Sequence, residues 1–399
     1  MPSSPTQSGA HSANLSAGAS ASPDTAPARR TKPPRPIALA LQGGGSHGAF
    51  TWGVLDTLLG ETGLAIEALS GTSAGAVNAV ALADGWAKAQ QNGGSPADWR
   101  AAARNTLAGM WDEIGQWGAL GALPARFAQA LWGKAAATQW AHANLWTQAL
   151  EGLLAPYQVN PLDLNPLRDL LRRRIDFEGL RRPEVPRVFV SATQVATGKA
   201  AIFSGRRLDV DAVTASACLP TLFQAIEIDG QTFWDGGYSV NPPLSPLIAH
   251  CGDPDIVVVQ INPLRRSELP TTAQDVLDRI HELNFNASLL AQMRGIDRIN
   301  RLLADGALTR GGCKPVRLHR IDGGSALLAY SASTTTDPDP GLIRELFHIG
   351  QESARRWLGR HFEALGQRST VDVGRDYDDD TRIEWPDACA LPPNVQASG

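Results

Sequence analysis

The chain has 399 residues, 43% of them hydrophobic, with a formal net charge of -4. That supports a sizeable core, and a sequence pI of about 6.1 leaves no basic footprint of the kind a nucleic-acid partner requires. Its four cysteines, Cys218, Cys251, Cys313 and Cys389, are widely spaced without a CxxC pair, which argues against a disulfide framework or a zinc site and fits a reducing, cytoplasmic compartment. Residues 1–35 are rich in Ser, Ala, Pro and Thr, lack hydrophobic periodicity, and are expected to be a disordered tail. No basic start precedes an apolar stretch, so no secretory signal is expected. No run of about 18 apolar residues occurs, so any membrane contact is expected to be peripheral. Residues 37–41 (IALAL) read as a buried parallel strand, 47–59 as a helix, 66–69 as a second strand and 74–83 as a small-residue helix. Residues 99–180 interrupt the alternation with a helical pattern holding Trp99, Trp111, Trp117, Trp132, Trp140 and Trp146. This insertion is expected to pack as core and also to form an apolar lid or acyl-chain groove. Residues 187–193, 255–261 and 316–321 read as further strands, 225–228 and 232–234 as a hairpin through Asp229-Gly230, and 272–304 and 341–365 as long helices. Alternation of this kind implies an α/β fold with a mainly parallel sheet, one domain over 36–365. Residues 366–399 are expected to be an acidic, loosely ordered tail.

Three motifs carry chemistry. Gly43-Gly44-Gly45-Ser46-His47-Gly48 follows the first strand and opens a helix. Its N–H groups suit a negative charge, such as the oxyanion of an acyl-transfer reaction. The same residues satisfy the dinucleotide fingerprint, but Glu67 starts the second strand rather than ending it, so the ribose-binding acid is missing. Gly71-Thr72-Ser73-Ala74-Gly75 is G-x-S-x-G between a strand and a helix, the setting of a nucleophile elbow with Ser73 exposed at the helix N-terminus. Ser73 needs a base. Late histidines His319, His348 and His361 are positional candidates for a conventional triad, but they sit in strand or helix patterns; His47 is nearer the chemistry. Asp235, in Trp234-Asp235-Gly236-Gly237 at a strand end, is the better candidate, with Asn241-Pro242-Pro243 fixing the loop after it.

GGGSHG, GTSAG and DGG, in that order, with Ala215-Ser216-Ala217-Cys218-Leu219-Pro220 before the last, resemble the patatin-like phospholipases over roughly residues 37–261. The resemblance implies a three-layer α/β/α fold and a Ser73–Asp235 dyad acting through an acyl-enzyme. It implies an oxyanion hole from Gly43, Gly44, Gly45 and Ser46, supporting glycines Gly71, Gly75, Gly236 and Gly237, and no metal or cofactor. The substrates implied are phospholipids, lysophospholipids, acylglycerols or other lipid esters. The family usually carries Arg or Lys where this chain has His47, so His47, with Gly48, is a possible auxiliary that would make activity pH-sensitive. Three alternatives stay open: a Ser-His-Asp esterase of the α/β-hydrolase type, a storage-polyester depolymerase, and a non-enzymatic lipid-binding protein.

Overall fold

The computed structural model describes residues 33–121, 163–252, 255–266, 269–308 and 314–378, with Tyr157 and Asn160. Its first strand, β1 (Arg35–Leu41), explains how the sheet is covered. Ile37, Leu39 and Leu41 alternate with Ala38 and Ala40, and successive strand side chains face opposite sides. The branched residues therefore enter one hydrophobic cluster and the alanines another. The chain continues through α1 (Gly48–Gly60), β2 (Leu64–Thr72), α2 (Ala74–Gln91), α3 (Pro96–Gly121), α4 (Pro166–Arg174), β3 (Arg187–Gln194), β4 (Ala200–Phe203), α5 (Val210–Ser216), β5 (Ile226–Ile228) and β6 (Gln231–Asp235). Then follow α6 (Ser245–His250), β7 (Asp255–Gln260), α7 (Ala273–Ala304), β8 (Arg317–Asp322), α8 (Ser325–Leu328), α9 (Pro340–His361) and α10 (Val373–Asp376).

Eight strands form one sheet in the order β5-β6-β3-β2-β1-β7-β8, with β4 also paired to β3. From β3 to β8 the pairing is parallel; β4, β5 and β6 join antiparallel. Helices α1, α2, α3 and α9 supply the larger cluster on one face, through residues such as Phe50, Val80, Trp111 and Leu346. Helices α6 and α7 cover the other through Leu247, Leu289 and Met293. A sheet buried on both faces needs strands that are apolar throughout, and DIVVVQ of β7 is buried at all six positions. The fold is the α/β layered sandwich expected, with a mainly parallel sheet and helices on both faces.

The structure moves two expected boundaries. β1 opens at Arg35, within the stretch assigned to the N-terminal tail, because Arg35 pairs with Leu64 of β2. Residues 366–378 are not loose: Tyr377 is 1% exposed in the second core, and its hydroxyl donates to Gln260 Oε1 at 2.8 Å. The acidic composition hid this single aromatic anchor. Of the expected Trp-rich insertion, α3 begins before it and packs on α2, with Trp99 against Trp86; Trp132, Trp140 and Trp146 lie outside the described residues, as do Cys313 and Cys389. Among the described residues no helix is long and apolar enough to cross a membrane.

Candidate active site

Three strand ends converge at the C-terminal edge of the parallel sheet. β1 ends at Leu41, and the next residue, Gln42, anchors the glycine loop. Gln42 Oε1 accepts the N–H groups of Ile261 and Asn262, both at 2.8 Å, and its Nε2 donates to Asn286 Oδ1 at 2.9 Å. The Gly43 N–H donates to Asn241 Oδ1 at 2.6 Å, and Asn262 Nδ2 donates to Gly43 O at 3.1 Å. Buried amides thus hold the loop's base. They also correct the expectation for Gly43, whose N–H is already engaged and is not available to an oxyanion. The N–H groups of Gly44, Gly45 and Ser46 have no protein acceptor among the described residues, and these three residues line a cavity that also contains Ser73.

β2 runs to Thr72, where Ser73 turns the chain into α2 with φ 53° and ψ −123°. A side chain rarely adopts this conformation; it costs roughly 1–3 kcal/mol and persists only where the surroundings over-determine it. Here they do. A Cβ on Gly71 would stand 2.4 Å from Gly75 O, and one on Gly75 would stand 2.1 Å from Leu41 O, so the turn closes only with glycine at both positions. Ser216 Oγ accepts the Ser73 N–H at 2.9 Å. Ser73 is the N-cap of the 18-residue α2, where the helix dipole favours negative charge.

The ladder on β3 brings Asp235 to the same point. Val190 pairs with Gly71 of β2 and with Phe203 of β4, so those strands lie on opposite sides of β3. Ala192 pairs with Ala201 of β4 and with Asp235 of β6. β6 therefore lies on the β2 side, antiparallel to it and end to end with it. Thr72 stands opposite Ser191 and Asp235 opposite Ala192, so the residue after Thr72 faces Asp235. Hydroxyls seal the junction: Thr72 Oγ1 and Ser191 Oγ are 2.6 Å apart, and Thr193 Oγ1 donates to Asp235 O at 2.8 Å.

Asp235 is fully buried. Its Oδ1 accepts the Gly237 N–H at 2.7 Å, while Oδ2 has no well-formed hydrogen bond. Burial pushes its pKa up to about 7, opposed by the Gly237 N–H and by the nearby Ser73 hydroxyl. Serine and carboxyl are thus neighbours without a well-formed hydrogen bond between them. Gly236 and Gly237 give the strand end room: a Cβ would stand 2.3 Å from Ser191 O at the first and 2.4 Å from Phe285 Cε1 at the second.

The cavity, about 250 Å³, is walled mainly by apolar residues, among them Trp111, Trp117, Leu219, Phe223 and Phe285. Trp111 and Trp117 of α3 are among these walls, and Trp111 also stacks on Trp52 and donates to Asn78 Oδ1 at 2.9 Å. His281, stacked on Phe285 at 4.2 Å between ring centroids, is the histidine that lines the cavity; burial lowers its pKa. Neither it nor Thr335 and Thr336 was legible in the sequence, since no motif marks them. Ser216 was within reach, because it lies in the ASACLP segment.

The other histidines fall elsewhere. His319 is buried in β8, bonded through Nε2 to Asp255 at 2.8 Å and through Nδ1 to Thr370 at 2.9 Å. His348 and His361 sit on α9, and none of the three lines the cavity. The triad alternative therefore loses its expected bases. His47 is 6% exposed and turned toward Thr334; desolvation lowers its pKa to about 4, so it is neutral near neutral pH. Burial thus disfavours the cationic form that an Arg or Lys would supply at this position. Gly48 packs against Ala74 and Trp111 and its N–H returns to Gly45 O and Ser46 O, a structural place. Among the described residues no group of three or more His, Cys, Asp or Glu could hold a metal ion.

A family model described as patatin-like phospholipase matches residues 39–248, more than half of the chain, and the chain belongs to the patatin-like phospholipase family. Membership indicates a lipid hydrolase. A search of curated proteins finds no match. Among solved structures, the chain is similar to VipD from Legionella pneumophila at 13% identity, with 82% of this chain and 67% of that one covered and a TM-score of 0.36. It is also similar to human GIVD cytosolic phospholipase A2, solved in complex with methyl gamma-linolenyl fluorophosphonate, at 14% identity, 83% and 58% coverage and a TM-score of 0.35.

Proposed function

We propose that this protein hydrolyses carboxylic esters of lipids through Ser73 as nucleophile and Asp235 as base. The observation that carries the proposal is the end-to-end meeting of β2 and β6 along β3, which sets a strained serine beside a buried carboxyl whose Oδ2 is unpartnered. Ser73 Oγ attacks the ester carbonyl carbon and its proton passes to Asp235 Oδ2. The oxyanion is received by N–H groups of Gly44, Gly45 and Ser46. Collapse breaks the C–O bond, and the leaving alkoxide takes the proton from Asp235. Water then attacks the acyl-enzyme, gives its proton to Asp235, and Ser73 regains one as the acid departs. A carboxyl with a pKa near 7 is a stronger base than an ordinary one and remains ionised at mildly alkaline pH. The α2 dipole favours the developing serine oxyanion.

The cavity's apolar walls favour an acyl chain over a polar acid, and exposed apolar residues on α7 favour a lipid surface. Leu277, Ile280 and Leu283 on α7 are 61%, 49% and 51% exposed, on the same helical stretch as His281 and Phe285. Leu222, which lines the cavity, is also exposed. Exposed apolar side chains of this kind suit contact with the lipid phase that holds the substrate.

The test is hydrolysis of short- and long-chain nitrophenyl esters and of a phospholipid by wild type, Ser73→Ala and Asp235→Asn, with intact mass after a fluorophosphonate probe. Wild type gains one probe mass and turns over, and both variants fall by about 10³-fold or more. An active Asp235→Asn enzyme removes the dyad; a wild type that neither labels nor hydrolyses removes the enzyme reading and leaves a lipid-binding protein.

A further inference from the structure

The family match ends at residue 248, yet part of the site comes from beyond it. Residues Ala332–Thr336 form a 3-10 turn against the glycine loop. A Cβ on Gly45 would lie 2.1 Å from Thr335 O, and His47 Nε2 is 2.7 Å from Thr334 Oγ1. A threonine hydroxyl has one proton, and Thr334 Oγ1 donates it to Ser331 O at 2.8 Å. With that proton given to Ser331 O, the oxygen accepts toward His47, which assigns the hydrogen to His47 Nε2. Burial keeps a second proton off the ring, holding its pKa near 4. The charged groups acting on the ring are Glu282 and Arg266, and they satisfy each other: Arg266 Nε lies 2.9 Å from both carboxylate oxygens. Arg266 also donates to Leu328 O and Tyr330 O, both at 3.0 Å, which anchors the start of the same segment. The Tyr330 ring stands edge-on to His47 at 6.0 Å.

We propose that Thr334 and the Nε2–H tautomer of His47 form a clamp that positions the glycine loop, with Thr334 acting as a positioning residue for the N–H groups of Gly44, Gly45 and Ser46. The proposal rests on reading those N–H groups as the oxyanion donors. A run of three glycines does not hold its own shape. One end is fixed at Gly43 by Asn241 and Asn262. The other end is the 3-10 turn Gly45–His47, and the bond to Thr334 holds its last side chain. The two anchors bracket the donors. A misplacement of about 1 Å at reacting groups costs on the order of 10²-fold in rate, so losing one anchor reaches the chemistry although neither Thr334 nor the His47 ring lines the cavity.

Thr334→Val removes the acceptor at nearly constant volume, and Thr334→Ser keeps it. With a nitrophenyl ester, Thr334→Val is expected to lower kcat about 10- to 100-fold with KM within about twofold, and Thr334→Ser to stay within about threefold of wild type. If Thr334→Val fails to fold, the same comparison runs from the other partner, since a His47→Gln side chain can still donate and His47→Leu cannot. Independently of turnover, nitrogen NMR of 15N-histidine-labelled protein, with the His47 signal assigned by its loss in His47→Gln, should report the Nε2–H tautomer at neutral pH. Wild-type kcat in Thr334→Val, equal losses in the Val and Ser variants, or an Nδ1–H tautomer for His47 would overturn the clamp. A wild type without esterase activity would overturn the oxyanion assignment instead, leaving the NMR result to decide the bond.

Discussion

Replacing Asp235 by Asn should stabilise the protein at alkaline pH while abolishing its activity. In the folded chain the carboxyl is fully buried and its pKa is raised from 3.8 to about 7. The folded state therefore holds a proton that the unfolded state has released between about pH 4 and pH 7, and stability falls as pH rises through that window. With about 1.36 kcal/mol per unit of pKa difference, a separation of roughly 3 units costs at most about 4 kcal/mol once the group is ionised. About 2.5–3 kcal/mol of that falls between pH 5 and pH 8. Asn cannot ionise, so its variant lacks this slope. The Asn Oδ1 can still accept the Gly237 N–H that now bonds Asp235 Oδ1 at 2.7 Å. Its Nδ2 occupies the place of the unpartnered Oδ2, and an unsatisfied N–H there would cost about 1–3 kcal/mol at every pH. Urea unfolding of both proteins at pH 5 and pH 8 measures it. Asp235→Asn should gain about 2–3 kcal/mol relative to wild type on moving from pH 5 to pH 8. A difference that is constant across that range would refute the buried, proton-holding carboxyl.

Three further outcomes follow from the same geometry. kcat/KM should rise with pH through about 7, as Asp235 loses its proton, and then level off; His47, held near 4, should contribute no inflection near neutrality, and a pH–rate profile checks both. Ser73→Gly should be at least as stable as Ser73→Ala by thermal unfolding, because φ 53° strains alanine but not glycine by about 1 kcal/mol, while both are inactive. His319→Gln should lower stability by about 2–4 kcal/mol, since it disturbs a buried pair with Asp255, yet leave kcat unchanged; a loss of kcat at full stability would return a histidine to the mechanism.

Local signals carried far in this sequence. The strand 37–41 and the helix after it, the small-residue helix after Ser73, and the Asp229-Gly230 turn with both residues at positive φ all depend on neighbours a few residues apart. Periodicity and turn chemistry report such neighbours directly. The elbow is of the same kind, because the Gly71 and Gly75 that permit it lie two residues either side of Ser73. Hence the α/β class, the candidate nucleophile and the candidate base were all readable from order and spacing. β4 and α5 went unread, being short and weakly patterned, and acidic composition concealed the packing of Tyr377.

What only the tertiary structure decided was which residues share a site. β6 could have added to either side of β3; it takes the side where β2 stops, and that choice brings the carboxyl to the serine. The amide that occupies Gly43 comes from 198 positions away, and the Thr334 that holds His47 from 287. The desolvation that raises Asp235 and depresses His47 is likewise a property of what surrounds them. Motifs identify groups capable of chemistry because covalent neighbours shape their backbone. Strand side, cavity walls, hydrogen-bond direction and proton affinity depend on partners brought together only by packing, and these leave no mark at the motif itself.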